Sequence, residues 1–213
     1  MLTAALLGFL LGLRHASDPD HLVAVSTIVA RHRSGCAASW IGVAWGVGHS
    51  VTILAVGGAV VALGLVVPAR LGLGLELLVG IVLVALGLAN LRVARTPREP
   101  ELDVGPQSEH RGLATRALAV GLLHGLAGSA AVALLALAAM PTPAAALAYL
   151  AVFSLGTVAG MVTLSLGVGL PMAAAASARP SAQRWLVAGS GALSLGVGLW
   201  TVWQIGFVQG LLL

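Results

Sequence analysis

The sequence predicts an all-helical (all-α), polytopic membrane protein with about six transmembrane helices arranged as two inverted three-helix repeats. Three observations lead to this prediction. The chain of 213 residues is 59% hydrophobic and only 8% charged, with a mean hydropathy of +1.02, whereas soluble domains average about 25% charged residues. Its apolar runs are long enough to cross a bilayer, which takes about 20 residues per helix. A hydrophilic stretch near the middle separates three runs from three.

The apolar runs are predicted to be helices because lipid offers no hydrogen-bond partner to open backbone groups. Their approximate limits are 2–30, 38–67, 71–93, 113–139, 143–171 and 185–209. The 28 glycines fit close packing of helices in lipid. Cys36 is the only cysteine, which excludes an intramolecular disulfide and disfavours a transmembrane electron carrier that works through paired cysteines.

The positive charges predict the orientation of the helices. All 11 basic residues are arginines, and most of them fall at the first, third and fifth connections, whereas Arg70 stands alone at the second. Cytoplasmic loops of membrane proteins carry an excess of basic residues. We therefore expect the odd connections to be cytoplasmic and both termini to lie outside the cell membrane. The net charge of +4 is explained by this topology and does not indicate a nucleic-acid partner.

The hydrophilic stretch 94–112 is rich in proline and acidic residues and is predicted to be a cytoplasmic linker. It divides a first three-helix repeat, 1–93, from a second, 113–213, and the two match at a nearly constant offset. The matching positions are 12–15 with 121–124, 45–49 with 153–157, and Gly80 and Gly87 with Gly189 and Gly196. Because an odd number of spans inverts the second copy, the halves predict the inverted repeats and midplane site that are typical of transporters.

A charged segment inside the first apolar run is the most informative feature of the chain. It contains Arg14, His15, Asp18, Asp20 and His21 at a depth where a charge costs about 2.5–3.5 kcal/mol on insertion scales. Two imidazoles and two carboxylates form a nitrogen and oxygen ligand set for a divalent transition metal. Structural alternatives stay open, since Asp18 could cap a helix or pair with Arg14, and the histidines could be buried hydrogen-bonding groups. Each alternative explains one residue, but none explains why the residues occur together.

Pro19 predicts that the first helix is broken. Proline lacks a backbone donor and clashes with the carbonyl four residues back, so the carbonyl of His15 is predicted to be free and Asp18 to leave the helical region. The second half-helix would start at Pro19, with Asp18 or Ser17 as N-cap and Asp20 in its first turn. A broken helix is tolerated in a membrane where it is buried or lines a wet cavity, which is where a permeating ion needs ligands.

Two more histidines lie at predicted membrane depth. His49 is in the second run and His124 in the fourth, and the glycines around each allow a neighbouring helix to approach closely. A lone histidine there is more often structural, but His124 occupies the position that matches His15. We therefore expect both to join the same site, whereas His32 and His110 lie beside arginines in cytoplasmic connections and are expected to be solvated.

The segment 13–21 resembles the signature of the nickel/cobalt transporter family, in which a histidine is followed by an Asp-His pair, here His15 and Asp20-His21. Residues 48–50, Gly-His-Ser, resemble the second motif of that family. The region around His124 and 128–129 is similar to nickel permeases associated with urease and hydrogenase maturation. Usual family members have about eight spans, with one preceding the signature helix and alanine in place of Pro19.

The resemblance implies that His15, Asp20 and His21 are selectivity and translocation ligands, supported by Asp18 and His49. The full set of candidate metal ligands from the sequence is His15, Asp18, Asp20, His21, His49 and His124. Mixed imidazole and carboxylate ligands suit Ni²⁺ and Co²⁺, and the absence of cysteine from the motif disfavours copper(I).

The sequence therefore predicts a multi-pass permease for Ni²⁺ or Co²⁺ in the cell membrane, with the ion as substrate, no cofactor and no enzymatic activity. One alternative is an exporter of the same metals. Exporters that resemble this family tend to carry a long His-rich cytoplasmic loop, whereas 94–112 contains only His110, which favours uptake. Another alternative is a metal-dependent intramembrane hydrolase, which would have no need of an inverted repeat.

Overall fold

A computed structural model describes residues 2–31, 34–96 and 106–213. Every regular element within these ranges is helical, which confirms the predicted all-α class. The α-helices are α1 (Leu2–His15), α2 (Pro19–Val29), α3 (Gly35–Thr52), α4 (Gly58–Leu63), α5 (Ala69–Arg95), α6 (Pro106–Ala139), α7 (Pro143–Ala178) and α8 (Pro180–Trp203). Two π-helical turns, Ile53–Gly57 and Gln204–Val208, join α3 to α4 and extend α8.

Four helical segments of the described residues are long and apolar enough to cross a membrane. They are Gly35–Leu63, Ala69–Arg95, Pro143–Ala178 and Ser181–Val208. The first predicted run is divided between α1 and α2, which are each too short, and the apolar part found in α6 is the shorter Gly112–Gly128. The predicted number of six spans therefore stays a prediction.

The predicted linker is partly helical. Helix α5 continues to Arg95, and α6 already begins at Pro106, so helix occupies both ends of the stretch 94–112. Residues 97–105 of the predicted linker, which carry much of its proline and acidic content, lie outside the described residues.

Helices α1 and α7 lie side by side and run in the same direction. Gly12 of α1 is so close to the carbonyl oxygen of Phe153 that an added β-carbon would overlap it, and Gly156 of α7 approaches the carbonyl of Phe9 in the same way. Further along both helices, Gly160 lies against Ala16. Small residues allow this close approach of two backbones, which is the main source of helix association in lipid.

Helices α3 and α6 repeat this arrangement. Gly121 of α6 lies against the carbonyl of Trp45, and Gly125 lies against the carbonyl of His49, so these two helices also run in the same direction. The hydroxyl of Thr52 donates to the carbonyl oxygen of Leu122 over 3.1 Å. Because His49 and Gly125 touch through their backbones, the contact brings the C-terminal end of α3 to the middle of α6.

Helices α5 and α8 pack in opposite directions. Gly87 lies against the carbonyl of Gly191, and Gly198 lies against the carbonyl of Gly80. The glycines that match Gly80 and Gly87 in the second half, Gly189 and Gly196, are not the ones that pack on α5. They lie on the exposed face of α8, where an added β-carbon would meet nothing within 4 Å.

A buried asparagine ties α2 to α5 and α8. The Asn90 side chain has no exposed surface, and its amide donates to the carbonyl of Thr27 over 2.7 Å and to the hydroxyl of Ser190 over 3.1 Å. Its oxygen accepts from the Nε of Arg31, whose own carbonyl accepts from Gln183. Buried polar groups are stable when their hydrogen bonds are made, so this network fixes the end of α2 that lies away from Pro19.

The glycine contacts predict a pattern of stability effects. Gly12→Ala and Gly121→Ala should each lower the free energy of unfolding by about 1–3 kcal/mol, because the new methyl group overlaps a neighbouring backbone. Gly189→Ala is the matched control and should be neutral or slightly stabilising, since open space surrounds it and alanine favours helix. Unfolding of the purified variants in detergent, followed by circular dichroism, measures the effect. Equal stability of all three variants would contradict the packing described here.

Candidate metal centre

The first helix breaks at the predicted place. Helix α1 ends at His15 and α2 begins at Pro19, with Asp18 as N-cap in an extended conformation (φ −60°, ψ 146°) and Asp20 in the first turn. The prediction of a free His15 carbonyl is wrong, because that oxygen accepts a hydrogen bond from the backbone N–H of Asp18 over 3.1 Å. Such three-residue bonds commonly tighten the last turn of a helix. Side chains rather than this carbonyl therefore supply the candidate ligands.

Four histidines from three separate parts of the chain meet beside the break between α1 and α2. The ring centroid of His21 lies 5.0 Å from that of His15, 5.0 Å from that of His49 and 5.4 Å from that of His124. His21, His49 and His124 are 2%, 1% and 3% exposed, whereas His15 is partly exposed. The structure thus brings together all four histidines that the sequence placed at membrane depth.

Asp18 orients the ring of His15. The Nδ1 of His15 donates to the carboxylate of Asp18 over 2.8 Å. Although Asp18 occupies the N-cap position of α2, its side chain forms no capping hydrogen bond. The proton on Nδ1 leaves Nε2 of the same ring with a lone pair. Metal-binding histidines usually donate their second ring nitrogen to a carboxylate or a carbonyl in this way.

Three histidines form a triangle of candidate ligands. The ligating nitrogens of His15, His21 and His49 all lie within 4.8 Å of one another, and the Nε2 atoms of His15 and His49 are 3.0 Å apart. Bonds from zinc to histidine nitrogen measure about 2.0–2.1 Å, so small side-chain shifts would close the triangle around one ion. The side chains come from both half-helices and from α3.

The acidic residue Asp20 lies between two of the rings. One of its carboxylate oxygens is 3.3 Å from Nδ1 of His21, and the other is 3.9 Å from Nε2 of His124. The carboxylate of Asp20 is thus within ion-pair distance of His21, but Nδ1 of His21 has no partner in hydrogen-bonding geometry. The Nδ1 of His124 lies 3.1 Å from the carbonyl oxygen of Val120, one turn earlier in α6.

Several buried nitrogens of the cluster lack a hydrogen-bond partner. They are both ring nitrogens of His21, Nδ1 of His49, Nε2 of His124 and the indole Nε1 of Trp45. Leaving a buried polar group unpaired costs about 1–3 kcal/mol, and such groups are rare in native proteins. A bound cation would satisfy the imidazole lone pairs, so the arrangement has the chemistry of a metal centre.

Two aromatic rings that the sequence did not assign to the site border the cluster. The ring of Trp45 lies 5.0 Å from that of His124, and the ring of Phe153 lies 5.5 Å from that of His15, centroid to centroid. The signal that could have found them is the internal match of the sequence, because Trp45 and Phe153 are matched positions of the two halves.

The two histidines expected to be solvated are not described at the level of their side chains. His32 falls outside the described residues, and His110 lies in α6 with a side chain that is also outside them. The Cys36 thiol is exposed at the start of α3, well separated along that helix from His49. The polar atoms around the candidate centre are therefore nitrogen and oxygen.

Comparisons with known proteins place the chain beside a small group of relatives. It is 32% identical to the urease accessory protein UreH of Bacillus sp. (strain TB-90) over 218 residues, which cover 99% of this chain and 95% of that protein. It is 30% identical to each of the chloroplast proteins FOR GROWTH AND FERTILITY 2 and 1 of Arabidopsis thaliana. The aligned part covers 93% of this chain but 56% and 58% of those two longer proteins. No family model and no solved structure matches the chain.

The hydrogen bond between His15 and Asp18 predicts a graded effect on metal affinity. Asp18→Ala should weaken the part of Co²⁺ binding that depends on His15 by about 10–100-fold, the usual cost of losing a group that orients a ligand. Asp18→Asn keeps an oxygen acceptor and should lose less. Titration of the purified protein with Co²⁺, followed by visible absorption, compares the two. Affinities that are unchanged in Asp18→Ala would show that the carboxylate does not orient a ligand.

Proposed function

The chain belongs to the family of the urease accessory protein UreH, and on that basis we propose that it is a permease that carries Ni²⁺ or Co²⁺ across the cell membrane. The ion is the substrate and is released unchanged, so the protein needs neither a cofactor nor an enzymatic step. The four apolar helices of membrane-spanning length support a membrane location. The connection of the relative with urease favours nickel.

The observation that carries this proposal is the buried cluster of histidines with unpaired ring nitrogens. Imidazole suits nickel, copper, zinc and iron, and carboxylate adds a hard, anionic oxygen, whereas thiolate, the preferred ligand of copper(I), is not among the described groups around the cluster. Ionisable residues in the middle of membrane helices usually mark the path of an ion. The ligands that we propose are His15, Asp20, His21, His49 and His124, with Asp18 orienting His15.

We further propose that the two halves, 1–93 and 113–213, are inverted repeats that alternate the access to this site. The contacts of α1 with α7 and of α3 with α6 support this proposal. Replacing each residue of the first contact by its match in the other half gives the second contact. Gly12 meets the carbonyl of Phe153, and its match Gly121 meets the carbonyl of Trp45, the match of Phe153. Inverted halves that rock around a shared midplane site are a common transporter design.

Uptake is the direction that we propose. The predicted cytoplasmic stretch 94–112 contains His110 as its only histidine and thus lacks the dense metal-binding loop that is expected of an exporter. Proteoliposomes that contain the purified protein test both the substrate and the direction. We expect accumulation of Ni²⁺ or Co²⁺ well above that of Zn²⁺ and Mn²⁺. Protein-containing vesicles that take up no more metal than empty ones would refute the proposal.

Substitutions in the cluster should separate transport from folding. His15→Ala, Asp20→Ala and His21→Ala are each expected to abolish uptake while the protein still inserts, because each removes a candidate ligand at membrane depth. His32→Ala and His110→Ala are the controls, and both should leave the uptake rate nearly unchanged. The measurement is the initial rate of ⁶³Ni uptake per inserted protein. A normal rate in His21→Ala would exclude the signature segment as the path of the ion.

The orientation of the proposed six spans can be tested by chemical labelling. Ser108→Cys and Thr142→Cys, each in a Cys36→Ser background, lie at predicted connections on opposite sides of the membrane. We expect a membrane-impermeant maleimide to label only the Thr142→Cys protein in intact cells and both proteins after permeabilisation. Labelling of both positions from the same side would refute both the proposed topology and the inverted repeat.

A further inference from the structure

We propose that the transported ion occupies two successive positions in the cluster, the first held by His15 and His49 and the second by Asp20 and His124, with His21 within reach of both. This inference deepens the proposed function and rests on it for the direction of movement. The existence of two binding positions depends only on the geometry of the cluster and can be tested without transport.

The second position is indicated by the gap between Asp20 and His124. Because the Nδ1 of His124 donates its proton to the carbonyl of Val120, Nε2 of the neutral ring carries a lone pair. That lone pair faces a carboxylate oxygen across 3.9 Å with no proton between them, so the two groups are both acceptors. Metal bonds of about 2.0–2.2 Å to nitrogen and oxygen would span this gap with an ion in the middle.

The surroundings of His124 are those of a metal ligand rather than of a solvated side chain. The residue is 3% exposed, and its Nε2 has no hydrogen-bond partner. A carbonyl that accepts from the other ring nitrogen is the usual support of a metal-bound histidine. The same logic holds at the first position, where Asp18 supports His15. Each proposed position thus contains one histidine whose tautomer is fixed by a neighbour in the same segment of chain.

The two positions are separated by the ring of His21. The nitrogen triangle includes His15, His21 and His49, whereas His124 has its closest imidazole neighbour in His21, at 5.4 Å between ring centroids. Both nitrogens of His21 are unpaired, so the ring has a lone pair available toward either side after a proton shift. Two divalent cations this close would repel each other strongly, so we expect one ion at a time to exchange between the positions.

Cobalt binding to the purified full-length protein in lipid nanodiscs tests the inference. His49→Ala removes the first position and His124→Asn the second, and asparagine can still donate to the carbonyl of Val120. Each variant should bind one Co²⁺ with an affinity reduced by only about two- to fivefold, because the other position remains. His21→Ala removes the shared ligand and should weaken binding by roughly tenfold or more. The visible spectrum of the unmodified protein should be a weighted sum of the spectra of His49→Ala and His124→Asn.

Transport completes the test. Both His49→Ala and His124→Asn should lower ⁶³Ni uptake by at least about tenfold, because a path with one position missing is interrupted, although binding is largely kept. If His124→Asn loses binding as severely as His21→Ala, the cluster is a single site and the inference is wrong. Normal uptake by His124→Asn, or no Co²⁺ binding to the unmodified protein, would also overturn it. Two-position binding without any uptake would leave the inference standing and refute the proposed transport.

Discussion

The cluster depends on direct contact between glycines and neighbouring backbones. Gly12 precedes His15 by less than one turn and rests on the carbonyl of Phe153, while Gly125 follows His124 and rests on the carbonyl of His49. A β-carbon at Gly12 would overlap the carbonyl oxygen of Phe153, and one at Gly125 would overlap that of His49, so any side chain at either glycine would force the two packed helices apart. The helix packing and the ligand geometry are therefore set by the same contacts, and the site cannot be loosened without loosening the bundle.

The features that could be predicted from the sequence are those decided within one or two turns of chain. Pro19 decides where the first helix breaks because its ring acts on the residues beside it. The contact between His15 and Asp18 spans three residues, and the grouping of His15 with His21 follows from the short segment that contains both. The convergence of His49 and His124 could be expected because both lie at predicted membrane depth, with His124 at the position that matches His15 and His49 in a motif that resembles one of the nickel/cobalt transporter family.

The features that the sequence did not predict depend on competing local hydrogen bonds or on contacts between distant helices. The carbonyl of His15 was expected to be free, but a turn lets the N–H of Asp18 reach it. The glycines of α8 that pack on α5 are not the matched ones, because a match between the halves pairs equivalent positions and does not say which face of a helix is packed. The ring of Trp45 is buried beside His124, and hydrophobicity alone does not distinguish a tryptophan that borders a site from one that only fills the core.

The short contact between His15 and His49 has a consequence for the protons of the two rings. Since the Nδ1 proton of His15 is held by Asp18, the proton shared across the 3.0 Å between the two Nε2 atoms belongs to His49. In this contact the His49 ring donates and the His15 ring accepts, so each ring satisfies one nitrogen of the other. An arriving cation has to displace that bond and send the His49 proton to Nδ1. Binding and release of the ion by the proposed permease would therefore each require a tautomer change at His49.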